Sequence, residues 1–198
     1  MQSNQRSIPF VAMVSFITVA VAAACVASYF YMFQTGMGET GLHNQFIAEI
    51  ASIVAFAAGI LACAFANPYQ KKKKATGAEE EVSPMVLALI AIGCAVMIAI
   101  LAFAVSNNVA DQKNGSVVAD DMTFVNKTHV GSFIAKKAAA AAIAPRTRIV
   151  FSDADGNLLS FSLANHDYAQ LSEKIDLNSE REYEISYYPN SNTLVSIS

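Results

Sequence analysis

Three stretches of the chain are apolar almost without interruption: Ile8 to Phe33, Phe46 to Ala66 and Met85 to Val105. A helix needs roughly 20 such residues to cross about 30 Å of hydrocarbon, and each run meets that length. The pattern predicts three transmembrane helices. After Ser106 the spacing of apolar positions shortens to that of strands. His129 to Lys136 reads as a first strand, and Arg148 to Ser152 and Leu158 to Leu163 flank Asp153-Ala154-Asp155-Gly156-Asn157. An Asp-Gly pair between two apolar runs predicts a hairpin. Leu159, Phe161 and Leu163 alternate with Ser160 and Ser162, giving one buried and one wet face.

Asp167 is placed to cap a short helix that carries Tyr168, Leu171 and Ile175 on one side. Glu182 to Tyr188 alternates again, Pro189-Asn190-Ser191-Asn192 makes a turn, and Thr193 to Ile197 returns as a last strand. The expected fold is therefore membrane α-helical, with three transmembrane helices, plus a small α+β, mainly antiparallel C-terminal domain resembling an open five-strand barrel. Residues 1–106 form the helical region with a loop at 67–84, residues 107–121 read as a tether, and 122–198 as the β-rich domain.

Composition sharpens the division. The chain is 54% hydrophobic and 15% charged, but those values average two unlike halves. From Asn107 onward there are eleven Asp and Glu against eight Lys and Arg. A nucleic-acid surface needs clustered positive charge, so no nucleic-acid partner is expected. Cys25, Cys63 and Cys94 fall one in each apolar run, where a thiol acts as a small apolar group, and the tail has no disulfide. The first run has features of a signal peptide, with Arg6 before it and small residues from Ala22 to Ala27. Its apolar length and its aromatic end, Tyr29, Phe30, Tyr31 and Phe33, suit a retained helix with an interfacial belt. Ala22-Ala23-Ala24-Cys25 lacks the leucine of a lipobox.

Charge then gives orientation. Arg6 precedes the first run, and Lys71, Lys72, Lys73 and Lys74 follow the second, whereas Gln34 to Gln45 has no Lys or Arg. Cationic side chains resist translocation, which predicts a cytoplasmic N-terminus, a cytoplasmic Asn67 to Pro84 loop and a tail on the outer side. The same four lysines attract anionic lipid, so membrane lipid is an expected partner. Small residues recur at helical spacing in two runs: Ala51, Ala55, Ala58, Gly59 and Ala62 in the second, Ala91, Ala95 and Ala99 in the third. Helices in lipid associate where backbones approach closely, so these seams are expected to pack as a hairpin or against a larger membrane partner.

Candidate chemistry adds little. Glu49 is the one formal charge inside an apolar run, one turn from its end, which suits snorkelling to the headgroups better than an ion path. Ser15, Thr18 and Ser52 are expected to bond backbone carbonyls of their own helices. Asp153, Asp155 and Asn157 start like a calcium loop, but Leu158 stands where the loop glycine belongs, leaving turn chemistry as the reading. His43, His129 and His166 lack ligand spacing, and no cofactor or metal is expected. Catalytic signatures such as G-x-S-x-G or H-E-x-x-H are missing, so a non-enzymatic role is expected.

Arg148-Ile149-Val150-Phe151-Ser152-Asp153-Ala154-Asp155-Gly156-Asn157, followed by Tyr183 to Asn192 with its Y-x-P-N-S turn, resembles a pattern in uncharacterised bacterial membrane proteins. Those have a few helices and a small extracytoplasmic β-domain. The resemblance implies an envelope location and carries no assigned activity, so no functional residue follows from it. The expected role is a multi-pass inner-membrane protein whose tail engages an envelope protein; the alternatives are an accessory subunit of a transport or secretion complex and a membrane enzyme with an outer active site.

Overall fold

The computed structural model describes residues 8–74, 83–130 and 146–198. The chain divides into two compact units, one of Met1–Ser28 and Ala48–Val105, the other of Tyr29–Ile47 and Ser106–Ser198.

The first unit holds most of three helices: α1 (Ile8–Phe33), α2 (Gly38–Lys74) and α3 (Pro84–Asn114). All three are long and apolar enough to cross a membrane, and they fit a multi-pass membrane protein. Three hydroxyls within them bond carbonyls of their own helices, as lipid favours. Ser15 Oγ donates to the Val11 carbonyl at 2.9 Å, Thr18 Oγ1 to Val14 at 2.9 Å and Ser52 Oγ to Ala48 at 2.8 Å. Phe16 of α1 stacks on Phe65 of α2 with ring centroids 5.6 Å apart.

The second unit is a five-stranded antiparallel sheet in the order β3-β2-β1-β4-β5. The strands are β1 (Val117–Val130), β2 (Arg146–Ser152), β3 (Leu158–Ala164), β4 (Glu182–Tyr188) and β5 (Thr193–Ile197), with helix α4 (Asn165–Lys174) between β3 and β4. The long β1 joins two hairpins. Its first half, Val117 to Thr123, pairs with β4, and its second half, Thr123 to Val130, pairs with β2. The register shifts twice along β1, between Ala119 and Met122 and between Phe124 and Asn126, and Asp121 takes a positive φ of 56°. Those bulges bend the strand and turn Ala119, Met122 and Phe124 to the core despite their uneven spacing.

Phe151 sits at the centre of the core, with ring contacts to Phe124, Phe161 and Tyr183 at centroid distances of 5.8, 6.5 and 5.9 Å. Ile149, Leu163, Ile185, Leu194 and Ile197 fill the space around it, and α4 contributes Leu171. The Tyr183 hydroxyl, at the edge of this core, donates to the Asp176 carbonyl at 2.9 Å and accepts from the Asn178 N–H at 2.7 Å, closing the segment before β4.

Several expectations are met here: α1, β4 and β5 have the bounds read from sequence, and the core face of β3 is the expected one. Others are corrected. The sheet stays open, with β3 and β5 as its unjoined edges, so the term β-barrel does not describe it. The 107–121 tether is in fact the end of α3 and the start of β1; α3 closes at Asn114, where the Gly115 N–H bonds to the Asp111 carbonyl at 2.9 Å. The first strand begins at Val117 rather than His129, and the 131–136 part of the predicted strand lies outside the described residues.

The Asp153–Asn157 segment forms the hairpin turn. Asp153 Oδ1 accepts from the Asn157 N–H and Oδ2 from Asn157 Nδ2, both at 2.8 Å, while Gly156 adopts a φ of +84° that an L side chain resists. The Asn157 amide, followed by the backbone N–H groups, holds the Asp153 carboxyl below the usual aspartate range.

Candidate functional site

Two carboxylates organise the second unit. Asp167, in the first turn of α4, does not cap that helix: Ala164 occupies the cap position without a side-chain bond. Its carboxylate is 2% exposed and reaches a segment 131 residues away in sequence. Oδ1 accepts from Thr35 Oγ1 and Oδ2 from the Gly36 N–H, both at 2.8 Å, with His166 Nε2 3.3 Å from Oδ1. The expected cap is therefore a tertiary clamp on the α1–α2 connection. The connection is tight enough to need glycine at Gly41, because a Cβ there would lie 2.3 Å from the Gly36 carbonyl carbon. Met37 extends from the same segment onto the β core.

The second carboxylate is Asp111, 0% exposed, near the end of α3. It accepts from the Asn190 N–H at 3.0 Å, Asn190 Nδ2 at 2.7 Å and the Ser191 N–H at 2.6 Å. The β4–β5 turn read from sequence as Pro189 to Asn192 is thus held from outside by a buried acid. A buried carboxylate stays ionised only with such donors around it.

Between these clamps lies a cleft of about 540 Å³. The edge strand β3 and its neighbour β2 form one wall, with Arg146, Arg148, Ser160 and Ser162. The start of β5 and the residues before it, Ser191 to Leu194, form another, and the α1–α2 connection from Phe30 to Gln45 completes it. Arg148 Nη2 donates to Ser160 Oγ at 3.0 Å. Thr193 Oγ1 bonds Gln45 Oε1 at 3.2 Å and Ser191 Oγ at 2.9 Å, and Asn44 Nδ2 donates to the Thr35 carbonyl at 3.1 Å. Among the described residues the lining contains two guanidinium groups and no Asp, Glu, His or Cys. Such groups bind and orient anions; they do not exchange protons near neutral pH. A smaller hollow of about 330 Å³ is lined by Glu39, His43 and Asp111, among others, and among the described residues no three such groups come together as metal ligands.

The residues singled out from sequence lie elsewhere. Lys71 to Lys74 are the last residues of α2, and residues 75–82 after them are outside the described set. Ala58 and Ala62 are buried, Ala51, Ala55 and Gly59 half-buried, and a Cβ on Gly59 would meet Cys94 Sγ at 3.6 Å. On α3, Leu87, Ala91, Cys94, Ile98 and Leu101 are half-buried, while Ala95 and Ala99 are exposed. Small size alone does not show which stripe of an all-apolar helix turns inward. Glu49, expected to snorkel to the headgroups, is 2% exposed.

Sequence reasoning missed Thr35, Asn44, Asp111 and both cleft arginines. One signal was present for the last: Arg146 and Arg148 stand two apart at the head of a strand, which puts them on one face. No family model, curated protein or solved structure matches the chain.

Proposed function

We propose that this is a non-enzymatic protein of a bacterial inner membrane whose β unit lies on the outer side and recognises an envelope partner. The observation that carries this reading is the cleft: a concavity lined by binding groups, on a domain whose helix connection and β4–β5 turn are held by buried carboxylates. The lysine count at the helix ends supports the orientation, and the resemblance to bacterial membrane proteins with an extracytoplasmic β-domain points the same way.

The test uses the full chain in cells. With Cys25, Cys63 and Cys94 replaced, Ser198→Cys is expected to react with a membrane-impermeant thiol reagent added outside. A photo-crosslinking residue at Leu158, 69% exposed at the tip of the β2–β3 hairpin, is expected to capture one defined envelope protein. Labelling only after lysis, or no specific adduct from any exposed position of the β unit, overturns the reading.

A second reading, an accessory subunit of a transport or secretion complex, is favoured by Ala88, Ala95 and Ala99 lying exposed on α3, where another helix has room to approach. Purification in mild detergent as a lone monomer counts against it.

A further inference from the structure

We infer that the cleft beside β3 is a binding site for a phosphate-bearing anion gripped by Arg146 and Arg148; this rests on the reading of the cleft as a recognition site. The charge distribution is the first ground. The second unit, Tyr29–Ile47 with Ser106–Ser198, contains twelve Asp and Glu against eight Lys and Arg, yet among the described residues the cleft lining has two arginines and no carboxylate. Among the described residues neither arginine has a carboxylate within ion-pair distance. Asp167, which bonds Thr35 and Gly36 of the lining, already accepts hydrogen bonds on both oxygens. Clustered cations in an acidic domain repel one another, and an anionic ligand relieves that repulsion.

Geometry is the second ground. Alternate residues of a strand stand on one face about 7 Å apart, so Arg146 and Arg148 share a face while Thr147 between them is buried. Ser160 holds Arg148 in place, and Ser162 adds a hydroxyl on the same β3 wall. Two forks suit a tetrahedral anion with several acceptor oxygens better than a single carboxylate, which one arginine saturates. A phosphate monoester carries about −1.5 to −2 charge at neutral pH, matching two cations. The volume falls in the range of roughly 300–1,000 Å³ typical of small-molecule sites. Phe30 and Tyr31, in the last turn of α1, offer the cleft an apolar wall at the end of a membrane-length helix. The phosphate therefore has two sources, an anionic phospholipid headgroup or a soluble phosphate ester.

The experiment compares the full-length protein with R146Q/R148Q and with R148K. In one arm, native mass spectrometry reads phosphatidylglycerol retained from nanodiscs of phosphatidylcholine doped with that lipid. In the other, calorimetry reads inorganic phosphate and glycerol 3-phosphate binding in uncharged detergent. Wild type is expected to bind in at least one arm, with a loss of roughly tenfold or more in the double variant and an intermediate loss in R148K, which keeps the charge without the fork. Retention in the lipid arm alone assigns a headgroup, and binding in the soluble arm assigns a phosphate ester. Unchanged thermal unfolding of the double variant shows that its loss is local. Equal binding by wild type and double variant in both arms, or no binding by wild type in either, overturns the inference. A double variant that loses phosphate yet keeps its crosslinked partner leaves partner recognition standing apart from the anion site.

Discussion

The two units solve the burial problem in opposite ways. In the helical unit, only 6%, 22% and 0% of the most apolar windows of α1, α2 and α3 are buried by the protein itself, so their side chains depend on lipid for an apolar surrounding. The β unit makes its own: Phe151, Ile149, Ile185 and Leu194 are buried among aromatic and branched neighbours, while Ser160 and Ser162 of β3 and Glu182 and Glu184 of β4 alternate with the buried positions. The contrast separates two kinds of specification. Helices in lipid require an apolar composition and internally satisfied hydroxyls, and tolerate many arrangements of small residues. A sheet built in water requires particular side chains at particular registers, because a one-residue slip exchanges its faces.

Substitutions that break this contrast rank by how much of the β unit's own core they remove. Phe151→Ala is expected to destabilise that unit by about 3–5 kcal/mol, since a ring buried against Phe124, Phe161 and Tyr183 leaves a cavity. Denaturant unfolding of the full chain in micelles, followed by protease sensitivity of the β unit, reads the loss. Next comes Asp167→Ala, at about 2–4 kcal/mol, because the Thr35 hydroxyl and Gly36 N–H lose a charged acceptor in a buried place. Hydrogen exchange at Gly36 should rise with it, and Asp167→Asn, which keeps one acceptor, should lose less.

A milder effect comes from acid. Asp153 in the folded chain ionises below its ordinary value, so the turn's extra stability is present above about pH 4 and is lost as pH falls through the lowered folded value. Proton NMR of Asn157 Nδ2 across that window is the measurement, and an unchanged signal down to acid unfolding breaks the assignment. Smallest of all, Ile92→Ala on the exposed face of α3 should change β-unit stability by no more than about 0.5 kcal/mol. A larger effect would show that the two kinds of burial are not independent.

Strong local signals carried most of the secondary structure. Unbroken apolar runs gave α1 its bounds, strict alternation gave β4, and an Asp-Gly pair gave the β2–β3 turn. Where local signals are weak or mixed, sequence reading failed for identifiable reasons. The bulges of β1 break its period of two, so Ala119, Met122 and Phe124 do not read as one face. The polar end of α3 looks like a linker until Asp111 meets Asn190 and Ser191, 79 and 80 residues further on. Asp167 has the local context of a helix cap, and only the approach of Thr35 and Gly36 gives its carboxylate another use.

By itself, then, the sequence determined that three segments belong in an apolar solvent and that the tail forms hairpins in a polar one, because those preferences depend on neighbouring residues within one helix turn or strand. Tertiary structure alone decided which distant residues share a wall. Arg146 and Arg148 gain a cleft only when Phe30 to Gln45 and the start of β5 come to stand beside β3. That meeting is long-range, and no local pattern encodes it.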